Sequence, residues 1–334
     1  MRRTFYFLLG CILLSFVVQA QQLDLQRLQF NGTLPEGLLN TRSVVLVRTS
    51  EAPAKEGAEP WKELARQAHP FLRDLGVDAV AYYDWRNVNA GPDATIAFGE
   101  AFRQRAIKNV VVVEKKDGNV VLSIAPIGEE VLLKAGSPAW QQSGAEMETV
   151  FASLKRDISK ASLELGNFLI IDLPEFFYTT DIQLNKRFFS YGLDLNLDKL
   201  AVPAYDIFVE ENQADSLADL KRIMQNYPYA WGITNPSAEG KDLRLKEGYQ
   251  YELLYLHTSA ANIRRFLNYG ADNEIPLELQ ADTKDDQSVY KFYIRHIYTG
   301  DVYAGTHWDA APSWEEALKQ HIEYLRKAQA ANIK

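Results

Sequence analysis

The chain closes on GTHWDAAPSWEEALKQHIEYLRKA, residues 305–328, and an earlier stretch, SIAPIGEEVLLKAGSPAWQQSGAEMETVFASLKRDI at 123–158, echoes it. Both read as a strand, then Pro-small-Trp (Pro138-Ala139-Trp140 and Pro312-Ser313-Trp314), then an amphipathic helix. If the echo marks a repeat, the chain is two copies of one unit, and each half must show the same order of elements.

Working outward, the first half does show an alternating order. Val44-Val45-Leu46-Val47 is a continuous apolar run, the pattern of a strand covered on both faces. Pro60 suits a first helical position, and Trp61, Leu64, Ala65, Ala68, Leu72 and Leu75 follow at helical spacing until Gly76. Asp78 to Trp85 reads as a strand, and a helix from about Ala94 carries Phe98, Ala101, Phe102 and Ala106. Asp117-Gly118, two residues that tolerate positive φ, joins Val110–Lys116 to Asn119–Ala125 as a hairpin. A helix with Met147, Val150, Phe151, Leu154, Ile158 and Ala161 completes a βαβαββα order.

The same order restarts at Tyr205. Tyr205 to Glu210 is predicted as a strand, a helix opens at Ser216, and Tyr249 to Thr258 is a strand followed by a helix capped by Ser259. Tyr290–Tyr298 and Asp301–Trp308 flank Thr299-Gly300, and Ser313-Trp-Glu-Glu316 forms a capping box that opens the last helix. The offsets between halves drift, from 161 (Arg103 to Arg264) to 182 (Gly118 to Gly300) and 174 (Pro138 to Pro312), as an old duplication with insertions makes them drift. The expected fold is α/β: two tandem βαβαββα repeats, each a mixed sheet with helices, ending in a hairpin and a helix. The boundaries are 1–20, a signal peptide; 21–42, an amino-terminal segment; 43–166, the first repeat; 167–203, a structured connector; and 204–334, the second repeat. In the connector, Phe168-Leu-Ile-Ile-Asp172 reads as a further strand, and Leu193, Leu195 and Leu197 alternate with polar residues.

The leader sets the compartment. Met1-Arg2-Arg3, an apolar run from Phe5 to Val18 and the small-residue end Val18-Gln19-Ala20 are the marks of a secretory signal peptide cut after Ala20. The run falls short of the roughly 20 residues that span a bilayer, and no other stretch approaches it. Leu8-Leu9-Gly10-Cys11 resembles a lipoprotein box, but the apolar run continues through Ile12, Leu13 and Leu14, which argues for cleavage at Ala20. Cleavage removes Arg2 and Arg3 from 36 basic side chains and leaves 34 against 44 acidic ones, a net charge of −10. Such a chain is repelled by phosphates, so nucleic acid is excluded as a partner. Cys11 leaves with the leader, and a cysteine-free mature chain has no disulfide, thiol chemistry or thiolate metal site.

The βαβαββα order with its terminal hairpin resembles the amino-terminal domain of TolB-type periplasmic proteins, in element order, compartment and repeat size. That resemblance implies a module that binds proteins and helps assemble the cell envelope, without catalytic residues or cofactor. Two copies in one chain depart from it.

Signatures of phosphate loops, HExxH zinc sites, Gly-x-Ser-x-Gly nucleophiles and calcium loops are absent from the sequence. Of the five histidines, His69 shares a face with Lys62, Arg66 and Arg73 and reads as solvated, whereas His321, among Leu318, Ile322 and Leu325, reads as a hydrogen-bonded core residue. His296 and His307 share a hairpin face about 13 Å apart, too far for one ion, so no metal site is assigned.

The binding candidates are aromatic and polar loops. The loop Asp84-Trp85-Arg86-Asn87-Val88-Asn89-Ala90-Gly91-Pro92-Asp93 starts at the carboxyl end of a parallel strand, where open α/β sheets hold ligands, and offers Asp84, Trp85, Arg86, Asn87 and Asn89. The competing reading folds Trp85 onto the core and pairs Arg86 with Asp84. Tyr229 and Trp231, in Tyr227-Pro-Tyr-Ala-Trp231, form a second candidate. Together these point to a secreted or periplasmic protein that binds another envelope or extracellular protein. The alternatives are a hydrolase using Asp84, Glu114 or His257 as acid or base, and a small-molecule or glycan binder.

Overall fold

Two six-stranded mixed sheets organise the chain in the computed structural model, which describes residues 23–49, 59–178, 187–188, 193–209, 215, 217–269, 283–305 and 307–332. The predicted leader and cleavage site, with Cys11, lie outside the described residues.

The first half runs β1 (Gln29–Phe30), β2 (Arg42–Thr49), α1 (Pro60–Asp74), β3 (Asp78–Asp84), α2 (Trp85–Val88), α3 (Pro92–Gln104), β4 (Ile107–Lys116), β5 (Asn119–Pro126), β6 (Pro138–Gly144) and α4 (Met147–Ala161). The second runs β7 (Arg187–Phe188), β8 (Lys199–Pro203), α5 (Ala218–Met224), β9 (Trp231–Thr234), α6 (Gly240–Leu245), β10 (Tyr249–Ser259), α7 (Ala260–Phe266), β11 (Ser288–His296), β12 (Val302–Tyr303) and α8 (Trp314–Asn332). No described helix is long and apolar enough to cross a membrane.

The sheet orders are β1-β6-β5-β4-β2-β3 and β7-β12-β11-β10-β8-β9. They are the same order, strand for strand, and the pairings also agree in sense: parallel at β1·β6 and β7·β12, antiparallel through the next two, then parallel across β4·β2·β3 and β10·β8·β9. The α/β fold with two mixed sheets is thus as the sequence indicates, although each half is richer than βαβαββα: an edge strand precedes the unit and a third meander strand closes it.

The topology places the equivalences elsewhere than the punctuation does. Pro138-Ala139-Trp140 begins strand β6, whereas Pro312-Ser313-Trp314 leads into helix α8, so the echo joins two non-equivalent places. The counterpart of the Asp117-Gly118 hairpin is β10–β11, whose connection has expanded to hold α7; Thr299-Gly300 corresponds to the β5–β6 connection. The first parallel strand of the second half is β8, not Tyr205–Glu210. Asp206–Phe208 is a 3₁₀ turn, and burial at Tyr205 and Phe208 falls three residues apart, not two. Leu193–Asn196 is likewise a 3₁₀ turn, with Leu195 buried and Leu197 in solvent. The second sheet therefore begins within 167–203, and β1 ties part of 21–42 to the first sheet.

Burial explains the strand chemistry. Val44, Val45, Leu46 and Val47 are all fully buried because β2 is covered on both faces. Val45 and Val47 meet Trp61, Leu64 and Phe151 beneath α1 and α4. Val44 and Leu46 belong to a second cluster that continues through Phe98 and Phe102 of α3 into Tyr255, Phe266 and Phe292 of the other half. The two sheets share one apolar core, with the Phe98 and Phe266 rings edge-on at 6.2 Å.

Candidate functional site

The predicted recognition loop is the joint between the halves. Asp84 caps α2 by accepting from the Arg86 amide at 2.9 Å, and the Arg86 guanidinium donates to the same carboxylate, with Nη2 to Oδ2 at 2.6 Å. Trp85 is buried, with the Arg48 guanidinium 5.8 Å from its ring centroid. Asn87 Oδ1 accepts from Thr258 Oγ1 at 2.9 Å and from Asn262 Nδ2 at 2.5 Å. Asn89 Oδ1 accepts from the Leu23 amide at 3.0 Å, and the His257 amide donates to the Ala90 carbonyl at 2.6 Å. Gly91 is required here, because a Cβ would collide with the backbone carbonyl of Tyr255. Arg295 completes the joint by pairing with Asp93 of α3 and, at 2.8 Å, with Glu252 of β10.

Asp84, Trp85, Asn87 and Asn89 are thus engaged within the fold and do not form a free surface; only the Arg86 side chain remains largely exposed. Polar residues in a predicted loop read as solvated, yet the partners of Asn87 come from more than 160 positions away. Tyr229 and Trp231 are half-buried against the shared core: Trp231 opens edge strand β9, and Tyr229 meets the buried Tyr227 edge-on at 5.7 Å.

The acid/base candidates fare similarly. Glu114 pairs with Arg48 at 3.5 Å, and Asp84 is held by Arg86. His257 stacks on Tyr290 with centroids 3.8 Å apart, and its Nε2 lies 3.1 Å from Ser288 Oγ. Burial, then the Arg86 charge, holds the His257 pKa below its ordinary value. Among the described residues no carboxylate bonds this ring, so it lacks the orienting partner that a nucleophilic triad uses. His321 is the core histidine anticipated, with Nδ1 2.8 Å from Asp309 Oδ2. Sequence reasoning missed Lys291, fully buried, which pairs with Asp309 Oδ1 at 2.6 Å and donates to the carbonyls of Phe292 and Ala304 at 2.8 and 2.7 Å. A lysine inside a strand buried on both faces was the available signal. His296 accepts from the Thr299 amide at 3.1 Å and His307 lies against Tyr324. Among the described residues no group of three or more His, Cys, Asp or Glu is placed to hold a metal.

The largest apolar exposure lies in residues 163–178, the part of the connector that follows α4. Helix α4 ends at Ser162 in the left-handed region, φ 52°, and the chain then turns back along the β3 edge of the first sheet. It is tied at three points. The Gly166 and Asn167 amides donate to the Leu39 carbonyl at 2.9 and 3.0 Å, His69 Nε2 donates to the Ile171 carbonyl at 3.0 Å, and the Phe177 amide donates to Tyr82 O at 3.0 Å. Phe176 packs edge-on against Trp61 at 5.4 Å, and Phe177 stacks on Tyr83 at 5.7 Å.

Between these ties the side chains face water. Phe168 is 78%, Leu169 96% and Leu173 77% exposed, with Leu165 and Ile171 also classed as exposed. At 150–250 Å² for a large side chain, this is on the order of 500 Å² of apolar surface, at the upper end of the patches that monomers carry. A cleft of about 380 Å³ opens beside it, with Leu75, Leu165, Phe168 and Ile170 on its apolar side and Arg73, Asp74 and Asn167 on its polar side. The run Phe168–Asp172, expected to be a strand, is unpaired and bends at Asp172; Pro174 lacks an amide donor, and pairing with β3 is confined to the bridge at Phe176.

His69 corrects the sequence reading, for it is buried. Its Nδ1 accepts from Tyr82 Oη at 2.7 Å while Nε2 holds the strap. Burial keeps its pKa below the ordinary 6.5, so the fold binds the neutral ring. Because the unfolded ring takes a proton first, this contribution is complete above about pH 6.5 and is lost as pH falls from there toward the lowered folded value. Protection of the Gly166, Asn167 and Phe177 amides, corrected for the intrinsic exchange rate, is therefore expected to fall between pH 7.5 and 5.5, and His69→Gln should flatten that dependence. Unchanged protection in the wild-type strap would reject the tether. His257 and His321 are lowered too, so a strap-specific readout is needed.

No family model, curated protein or solved structure matches the chain.

Proposed function

We propose that the protein is an exported binding or assembly protein, acting through protein–protein contacts in the cell envelope or outside the cell, and that the strap at 163–178 is its contact surface. The observation that carries this reading is the exposure of Phe168, Leu169 and Leu173 on backbone anchored at both ends. Large apolar side chains held in water cost solvation free energy, and a patch of this size is characteristic of surfaces that another molecule covers. The leader supports export, and the repeated α/β order supports kinship with TolB-type modules and descent of the two halves from one ancestral unit. The Ser288–His257 contact is the one feature that favours a hydrolase, and the arginine pairing of Asp84 and Glu114 weighs against it.

The test is Leu169→Asp with Phe168→Ser. Neither side chain is buried, so the midpoint of thermal unfolding should stay within the shift of about 0.5 kcal/mol usual for surface sites. Retention of the partner from native envelope or culture fluid should fall about thirtyfold, the equivalent of one hot spot near 2 kcal/mol. Full retention with an unchanged midpoint removes the strap as the contact surface. Should the midpoint move, Leu169→Asp alone repeats the comparison at the position with least contact to the fold.

A further inference from the structure

We infer that the strap recognises an extended apolar segment of its partner flanked by lysine or arginine, paired along the backbone of residues 168–171 and anchored by an apolar side chain in the cleft beside Gly76. This rests on the strap being the contact surface and adds the chemistry of what it takes.

Three observations support it. The first is backbone availability. From Phe168 to Ile171 the chain runs without turn or bend, before it bends at Asp172 and Leu173, and among the described residues the amides and carbonyls of 168–173 make no backbone–backbone hydrogen bond; Ile171 O alone is engaged, by His69. An extended segment with free donors and acceptors is the template on which a peptide adds as a strand.

The second is the cleft. It is wide enough for a side chain and has apolar walls in Leu75, Leu165 and Ile170. One wall is fixed by Gly76, at φ +83°, where a Cβ would press on Leu165 Cδ1 at 2.6 Å. That glycine lets Leu165 of the strap lie directly against the turn after α1.

The third is charge. Glu164, Asp172, Glu175 and Asp74 surround the patch, all exposed, the Asp172 side chain at 90%. Arg73 is the cation beside Asp172, its guanidinium shared between Asp74 at 2.9 Å and Asp172 at 3.3 Å, while Lys62, Arg105 and Arg265 lie over the Phe176, Phe177 and Tyr178 rings at the carboxyl end of the strap. Arg66, over the Phe176 ring, pairs with Glu63 at 3.4 Å. An apolar strip with an acidic rim complements an apolar peptide with basic flanks. It also disfavours a second copy: a two-fold pairing of straps would set these carboxylates against their own images in a chain of net charge −8.

The experiment titrates the full mature chain into fluorescein-labelled nonapeptides and reads anisotropy. The probe has two lysines on each side of Val-Ile-Phe-Val-Ile; one control replaces the lysines by glutamates, and another N-methylates alternate core amides. The lysine-flanked probe should bind about tenfold more tightly than the glutamate-flanked one, with the gap closing in about 1 M salt. N-methylation should abolish binding, and Asp172→Lys with Glu175→Lys should invert the flank preference. Equal affinity for the two flanks, indifference to N-methylation, or no binding at all overturns the inference. So does a dimer in sedimentation velocity that Leu169→Asp dissolves, since the strap would then belong to a second copy. If Leu169→Asp still releases the native partner while the lysine probe fails, the contact surface stands and the peptide chemistry falls.

Discussion

Asp309→Ala is expected to destabilise the protein by about 3–5 kcal/mol, the cost of leaving a buried charge without its partner. Lys291 is wholly inaccessible, and its ammonium is neutralised by Asp309 at 2.6 Å. The two backbone carbonyls it also reaches satisfy hydrogen bonds but not charge. Burial already lowers the Lys291 pKa, and Asp309 opposes that shift. Without the carboxylate the amine must lose its proton or draw water into the core. His321 would lose its bonded oxygen in the same step. Chemical denaturation should show the loss in the midpoint with little change in slope. Lys291→Met combined with Asp309→Leu should recover most of it, because removing both charges spares the desolvation that each single change exposes. A single Asp309→Ala costing under about 1 kcal/mol would mean that water already reaches the site.

Much of the first half was legible because its signals are local. The four-residue apolar run at Val44–Val47 and the Asp117-Gly118 turn, with φ of +51° and +78°, need no distant partner to be recognised. The second half was legible in its order but not in its register. Strands β8 and β9 have five and four residues, too few for a period to declare itself; β8 is placed by pairing with β10, and β9 by pairing with β8. Its helices stood out, so the reading fastened on Pro-Ser-Trp punctuation that the topology does not repeat.

The site misled in the opposite direction at two places, for one physical reason. Sequence polarity reports what a side chain prefers, and long-range packing decides what it meets. Asn87, polar and in a loop, is buried because Thr258 and Asn262 arrive to satisfy it. Leu169, in an apolar run of strand length, is almost wholly exposed because no strand arrives to cover it. His69 follows the first case, with two hydrogen bonds replacing the water its neighbours Arg66 and Arg73 suggested.

Arg295→Met tests whether the halves hold together through their charges. Arg295 bridges Asp93, at the start of α3, and Glu252, on β10, and both carboxylates are buried. Removing the cation leaves two like charges in a shared core, with an expected loss again of about 3–5 kcal/mol. The damage should be specific in place. α3 leans on β10 where the Gly91 backbone has no room to retreat from Tyr255, so repulsion at Asp93 should open the Ala90–His257 contact first. Hydrogen exchange at the His257 amide should rise well before exchange in β2 or β4, which lie in the interior of the first sheet. The triple change Arg295→Met, Asp93→Leu and Glu252→Leu separates charge from geometry. If it restores most of the stability, packing of Phe98 on Phe266 holds the halves and the ion cluster only fixes their register. If it does not, the Tyr293 hydrogen bond to Asp93, 3.1 Å, and the cluster itself are part of what binds them. Either result bears on the repeated topology. β5, the counterpart of β11, reads NVVLSIAP and has no charge to place where Arg295 stands. The lock therefore has no equivalent on the other side of the molecule, and the two halves differ most where each had to fit the other.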